Sequence, residues 1–523
     1  MLFKLRRLTH AACTLSIALM AACTAKPQHN EAHASVSDSA ADAGEQRPMK
    51  AEAEQVEPAA EDVDANGGSG TAGSSSISRD AGTASKADED ALKTAGAGGS
   101  GGRRGGGGVG GTPAADHGPA GGPAPRTPSC PDITKVDLLF VVDNSNSMAG
   151  EQQSLKLQFP GIVQALTNGR RSDNSARSFP AATDLHVGVV STDMGIPGVE
   201  FPTGHCNADG GDDGKLQTIP HGDTCDLSYP RFLTYNGDPR VAQQTDAVKF
   251  ADDVACIATL GTGGCGFEEQ LEAPLKALWP KVQKDAAGRV VSPNELRFLA
   301  STDQGSWGRG DVPVAMGGNE GFLRDGSLIV IVLLTDEEDC SVSSTEHLKP
   351  NNQLMEDSPY RMEDINLRCY YHKEFLYDVA QRYYAGLRKL RPGHEERVIF
   401  AAIAGVPPDL VDEVARAKVD FSSDDASARD AFYDRILEDP RMQETLDPAT
   451  NPGSGQGNLQ PSCSRPIPDE TALNTAYPPR RIVELAKLFG KNGMVQSICQ
   501  DDFSSASAAI VDTVARRLER PCH

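Results

Sequence analysis

The sequence predicts an α/β fold: a doubly wound, mostly parallel sheet with long disulfide-stapled insertions, preceded by a disordered tether. Three observations predict it. Short apolar runs rich in Val, Ile and Leu recur between amphipathic stretches, as strands buried on both faces do. Large apolar residues are nearly absent from Thr24 to Ser129, a segment that therefore offers no core. Cysteines fall in or near polar excursions between the runs, where a crosslink would close a loop.

Taken in order, the chain opens with Lys4, Arg6 and Arg7, followed by the apolar stretch Ala11 to Ala22. That stretch is too short for a stop-transfer helix and reads as a secretory signal over 1–22. Met20-Ala21-Ala22-Cys23 resembles the lipobox of bacterial lipoproteins, which implies a lipid on Cys23 as the new N-terminus. Thr24, in place of an aspartate, resembles outer-membrane sorting in Gram-negative lipoproteins. An ordinary cleaved signal is the alternative. Residues 23–129 are Ala, Glu, Asp, Ser and Gly with a Pro-rich exit, too poor in apolar groups to offset their ordering entropy. As a flexible tether, this segment has an end-to-end distance of roughly 50–60 Å. Asp62, Asp64, Asn66 and Gly67 match the start of an EF-hand loop, but Gly73 stands where a bidentate Glu belongs.

Residues 130–523 carry the predicted sheet. Its strands are Val136 to Val142, Leu185 to Ser191, Leu328 to Leu334, Arg397 to Ile403 and Met494 to Ile498. Helices are predicted at Gly150 to Leu166, Phe267 to Leu278, Glu374 to Leu390, Arg480 to Phe489 and Ser505 to Leu518. The surplus length is assigned to insertions at about 195–249, 341–366 and 409–476, next to the ligand edge of the sheet.

The chain has 523 residues, with 50 Lys+Arg against 73 Asp+Glu, a net charge of −23 that argues against a nucleic-acid partner. Twelve cysteines without a CxxC pair point to an oxidising compartment. Setting aside Cys13 and Cys23 leaves an even number for disulfides. Sequence proximity pairs Cys206 with Cys225, Cys256 with Cys265, Cys340 with Cys369 and Cys463 with Cys499, which leaves Cys130 for Cys522.

After the first strand comes Asp143-Asn144-Ser145-Asn146-Ser147, a D-x-S-x-S sequence opening into a helix. A carboxylate and two hydroxyls on one turn are hard oxygen donors, the set Mg²⁺ prefers. The motif resembles the metal-ion-dependent adhesion site of the von Willebrand factor type A (VWA) domain, as found in cysteine-rich bacterial lipoproteins. The resemblance implies an aspartate after a later strand, matched by Asp336 in Leu333-Leu-Thr-Asp336. It also implies a threonine from an intervening loop, matched by Thr262 in Leu260-Gly-Thr-Gly-Gly-Cys-Gly266, with Glu268 or Glu269 as substitutes. Glu337 departs from the family, which has Gly there. A second match to the pattern, Asp339-Cys-Ser-Val-Ser343, begins several residues beyond its strand and is set aside.

The resemblance implies bound Mg²⁺, with Mn²⁺ or Ca²⁺ as alternatives, and an open metal position for a carboxylate on a protein or glycan partner. Two other readings stay open: a metal-free structural envelope protein, and a hydrolase within the insertions. Against the hydrolase, the chain has no H-E-x-x-H, no G-x-S-x-G elbow between a strand and a helix, and no P-loop lysine. The expectation is a non-enzymatic binding protein anchored by lipid in the outer membrane.

Overall fold

A computed structural model describes residues 133–519, apart from 172–177, 202–205, 207–210, 223–224, 242–244, 285–289, 294–295, 301–304, 452–456 and 467–472. The expected signal, the tether, Cys23, Cys130 and Cys522 lie outside the described residues.

The strands in chain order are β1 (Lys135–Val142), β2 (Asp184–Ser191), β3 (Leu233–Asn236), β4 (Val282–Lys284) and β5 (Val290–Pro293). They continue with β6 (Leu328–Leu334), β7 (Val398–Ala404), β8 (Cys463–Pro466), β9 (Leu473–Ala476) and β10 (Gly493–Ser497). Six of them form the main sheet in the order β10-β7-β6-β1-β2-β3, parallel except for the antiparallel edge strand β3. Every residue of β6, β7 and β10 is buried, because helices cover both faces. Along β1, Leu138, Phe140 and Val142 enter one apolar layer with α2 (Phe159–Asn168), α3 (Ala247–Ile257) and the helix Ser504–Glu519. Leu139 and Val141 enter the other with α4 (Glu272–Leu278) and the helices Ser427–Glu438 and Arg480–Phe489.

All five expected strands are present within a residue or so of their expected ends. The helices differ more. Gly150 to Leu166 is split into α1 (Ala149–Lys156) and α2, because Pro160 fits a first helical turn and cannot continue a preceding one. Phe267 to Leu278 is helical only from Glu272. Ahead of it the backbone is taken up by other segments: Glu269 N donates to Thr192 O, Leu271 N to Asp339 Oδ1, and Cys340 N to Glu268 O. Glu374 to Leu390 is broken into a 3-10 turn, a π-helical stretch Val379–Tyr384 and a short α-helix. Two expected insertions also contribute to the framework. The first supplies β3, which pairs with β2, and the third supplies the helix Ser427–Glu438.

Four disulfides are present among the described residues. Cys340–Cys369 and Cys463–Cys499 pair as expected. The other two expected bridges are corrected: Cys206 pairs with Cys265, and Cys225 with Cys256. Sequence proximity fails there because the backbone bond His221 N to Thr259 O draws the Cys225 segment to the end of α3. Cys206 instead packs with Ile196, Val199, Cys265 and Phe267 in a small separate core. The disulfides fit an oxidising compartment. Among the described residues no helix is long and apolar enough to cross a membrane.

Candidate metal centre

The sheet order diverges at β1, with β2 on one side and β6 on the other, so a crevice opens where their carboxyl ends part. The last ladder bond there, Asp143 N to Leu334 O (2.9 Å), delivers Asp143 and Asp336 to the same edge. Asp143 is fully buried. Its Oδ1 accepts from Ser145 N at 2.8 Å, a local turn that aims the following hydroxyls back toward the carboxylate. Its Oδ2 accepts from Thr335 Oγ1 at 2.6 Å. Ser145 Oγ and Ser147 Oγ are 3.1 Å apart, and Ser147 Oγ donates to Asp336 Oδ1 at 3.2 Å. Asp143, Ser145, Ser147 and Asp336 therefore form one connected set.

Gln152 of α1 locks this loop to its neighbour. Its Nε2 donates to Asp143 O (2.7 Å) and Gly261 O (2.9 Å), while its Oε1 accepts from Leu260 N and Gly261 N. Gly264 N adds a bond to Asn144 O at 2.8 Å. Thr262 lies on that neighbouring loop, partly exposed, and among the described residues it makes no hydrogen bond to the set. The hydroxyls at Asp143 come instead from Thr335 and from Thr192 at the end of β2, whose buried Oγ1 has no well-formed hydrogen bond. Of the two substitutes for Thr262, Glu268 lines the same cavity as Ser145 and Ser147 and feels the Asp143 charge, whereas Glu269 feels those of Glu272 and Asp339.

Electrostatics mark the site. Burial raises the Asp143 carboxyl, an effect that Thr335 and Ser145 partly offset. Burial, then the nearby Asp143 and Glu337 charges, push Asp336 well above the carboxylate range. Glu337 is pushed up to about 8 by burial and then by Asp143. Glu268 is raised well above its ordinary value by burial and then by Asp143, Glu337 and Asp336. Four carboxyl groups thus oppose one another's ionisation in a crevice that removes them from water.

Beside them opens a cavity of about 420 Å³ lined by Ser145, Ser147, Glu268, Glu337, Tyr370 and Tyr477. Its walls come from the segments after β6 and before the helix Arg480–Phe489, and Tyr477 N donates to Asp336 O at 2.7 Å. Among the described residues no three His, Cys, Asp or Glu side chains are placed as a joint metal-ligand set. The set at Asp143 is of another kind, two carboxylates completed by hydroxyls, and those hard donors fit Mg²⁺.

Sequence reading did not single out Gln152, Thr192 or Thr335. The only sequence signal for Thr335 is its place before Asp336. The second D-x-S-x-S copy is structural: Asp339 accepts from Leu271 N, Ser341 Oγ and Arg481 Nε. Arg309 and Asp311 are likewise engaged internally, Arg309 with Asp213 and Asp311 with the backbone of Lys281 and Val282. No family model matches the chain, and no curated protein matches it.

Proposed function

We propose that the chain is a VWA-type envelope protein that holds Mg²⁺, or Mn²⁺ or Ca²⁺, through Asp143, Ser145, Ser147 and Asp336, and uses it to bind an acidic group on a protein or glycan partner. The observation that carries this reading is the convergence of Asp143, Asp336, Glu268 and Glu337 with hydroxyls at the point where the sheet order reverses. A divalent ion would relieve their mutual repulsion and leave a position for a partner carboxylate. Counting only the strands of the main sheet, the order runs 3-2-1-4-5-6 with helices on both faces, which supports the doubly wound assignment. Thr262 stays in the proposal only as a group on the loop clamped to the motif by Gln152. The anchor is a lipid on Cys23 in the outer membrane of a Gram-negative cell.

A second reading has its own support. Ser147 and Thr335 already donate to Asp336 and Asp143, so the set could serve as a metal-free loop clasp. Calorimetry on the purified full-length chain separates the two. Wild type should bind Mg²⁺ or Mn²⁺ and Asp143→Ala should not. Equal binding by both, or none by the wild type, would leave the metal-free structural role.

A further inference from the structure

We propose that the cavity beside the metal set takes an organic cation, a primary ammonium or a guanidinium, so that the partner presents a carboxylate and a basic group side by side. The carboxylate half rests on the metal-dependent reading above; the cation half rests on the cavity itself.

Glu268 lines the cavity and is 6% exposed, yet its carboxylate has no hydrogen bond or ion pair to another described residue. The Glu337 carboxylate, which also lines the cavity, has none either. The other acidic residues of the wall are already engaged. Asp339 pairs with Arg481 at 2.9 Å, Glu444 with Lys373, and Glu338 accepts from Arg481 N at 3.2 Å. Among the described residues no lysine, arginine or histidine lines the cavity. The carboxyls of the wall without a partner among the described residues are therefore Glu268 and Glu337, and both face the empty volume.

A divalent ion on Asp143 and Asp336 balances those two carboxylates and still gives Glu268 and Glu337 no hydrogen-bond or ion-pair partner. A ligand with a carboxylate alone would add a further negative charge within the same crevice. A ligand that also carries a cation supplies that partner, and a charge-assisted hydrogen bond formed out of water is much stronger than one at the surface. Phe267, Tyr370 and Tyr477 also line the space, and aromatic walls favour cations over anions. A volume of about 420 Å³ is in the range that accepts a side chain or small molecule, which directs recognition to a protruding acidic-basic pair and away from a flat surface.

The test uses the purified full-length chain and three capped dipeptides: glutamyl-lysine, glutamyl-norleucine and glutaminyl-lysine. Binding is measured by calorimetry in Mg²⁺ and again with chelator. Glutamyl-lysine should bind about tenfold more tightly than glutamyl-norleucine in Mg²⁺. Glu268→Gln, with Glu337→Gln as a second variant, should reduce that preference below about threefold. Equal, Mg²⁺-dependent binding of the lysine and norleucine peptides overturns the cation inference and leaves the metal reading standing. A lysine preference that survives chelator and Asp143→Ala sustains the cavity and removes the metal reading. A preference untouched by both glutamate variants, or no binding of any peptide, overturns the inference.

Discussion

His347 should make the protein lose stability in mild acid by an amount that one substitution removes. It is fully buried in the segment after β6, and neither ring nitrogen has a hydrogen-bond partner. It stacks on Phe375 with centroids 4.6 Å apart and stands 5.8 Å from the His372 ring. Burial, then the His372 and Arg368 charges, hold its pKa down at about 4, with Glu374 opposing weakly. The unfolded chain has the ordinary value near 6.5. A histidine depressed in the folded state contributes no pH dependence above about 6.5. Its stability is lost as pH falls through the window from 6.5 to 4, because the unfolded state takes up the proton first. The full loss is about 3 kcal/mol, and about 2 kcal/mol of it is felt by pH 5. His347→Leu removes the titrating group, keeps the packing apolar and leaves no unpaired ring nitrogen. Urea unfolding of both proteins at pH 7 and pH 5 gives the comparison. The variant should gain about 2 kcal/mol relative to wild type on going to pH 5. A difference between the two proteins that stays constant with pH would refute the reasoning.

Other outcomes follow from the same geometry. Peptide mapping without reduction should recover the Cys206–Cys265 and Cys225–Cys256 linkages; recovery of Cys206–Cys225 would contradict the packing of the loop after β2. At Gly264 a Cβ would land on the Asn144 amide, so Gly264→Ala should weaken Mg²⁺ binding about tenfold at a stability cost of about 1–3 kcal/mol, read by calorimetry and urea unfolding. Cys23→Ser should block processing or release the protein from the membrane fraction, and unchanged fractionation would remove the lipid anchor.

The sheet was legible because burial on both faces leaves a simple signal. Leu328 to Leu334 is apolar at every position, and no other structure of that length suits such a run between turn signals. Asp143 and Asp336 were legible for the same reason, since both follow such runs directly. The edge strand β3 was not, because only one of its sides is paired and its four residues, Leu233-Thr-Tyr-Asn236, mix polar and apolar groups. The start of α4 was misplaced because long-range partners decide it: Asp339 and Ser341 capture the amides of Leu271 and Glu272, and no local pattern encodes that. Beside that capture Glu268 feels the Asp143 charge and Glu269 that of Glu272, a distinction that two adjacent glutamates cannot show in sequence. The disulfide exchange has a similar origin, since α3 and β3 fold distant cysteines together while near ones are carried apart.

The capture of those amides also explains why the Asp143–Asp336 set and the cavity belong together. The second D-x-S-x-S copy spends Asp339 and Ser341 on holding the segment 267–272, and Arg481 fixes Asp339 from the far side. Glu268 is thereby held against a crevice whose charge disfavours it, a position that a free side chain would leave. A rigid acidic wall beside the proposed metal set is costly without a counter-charge and useful with one, because no reorganisation is needed when the ligand arrives. Cys340–Cys369 then ties the opposite wall, with Tyr370 next to the bridge, to the residue that follows Asp339. The segments that differ from a minimal sheet are the ones that set the shape and charge of the cavity. On the proposed function, partner choice should therefore follow changes at Glu268, Glu337 and Tyr370, whereas metal affinity should follow Asp143 and Asp336.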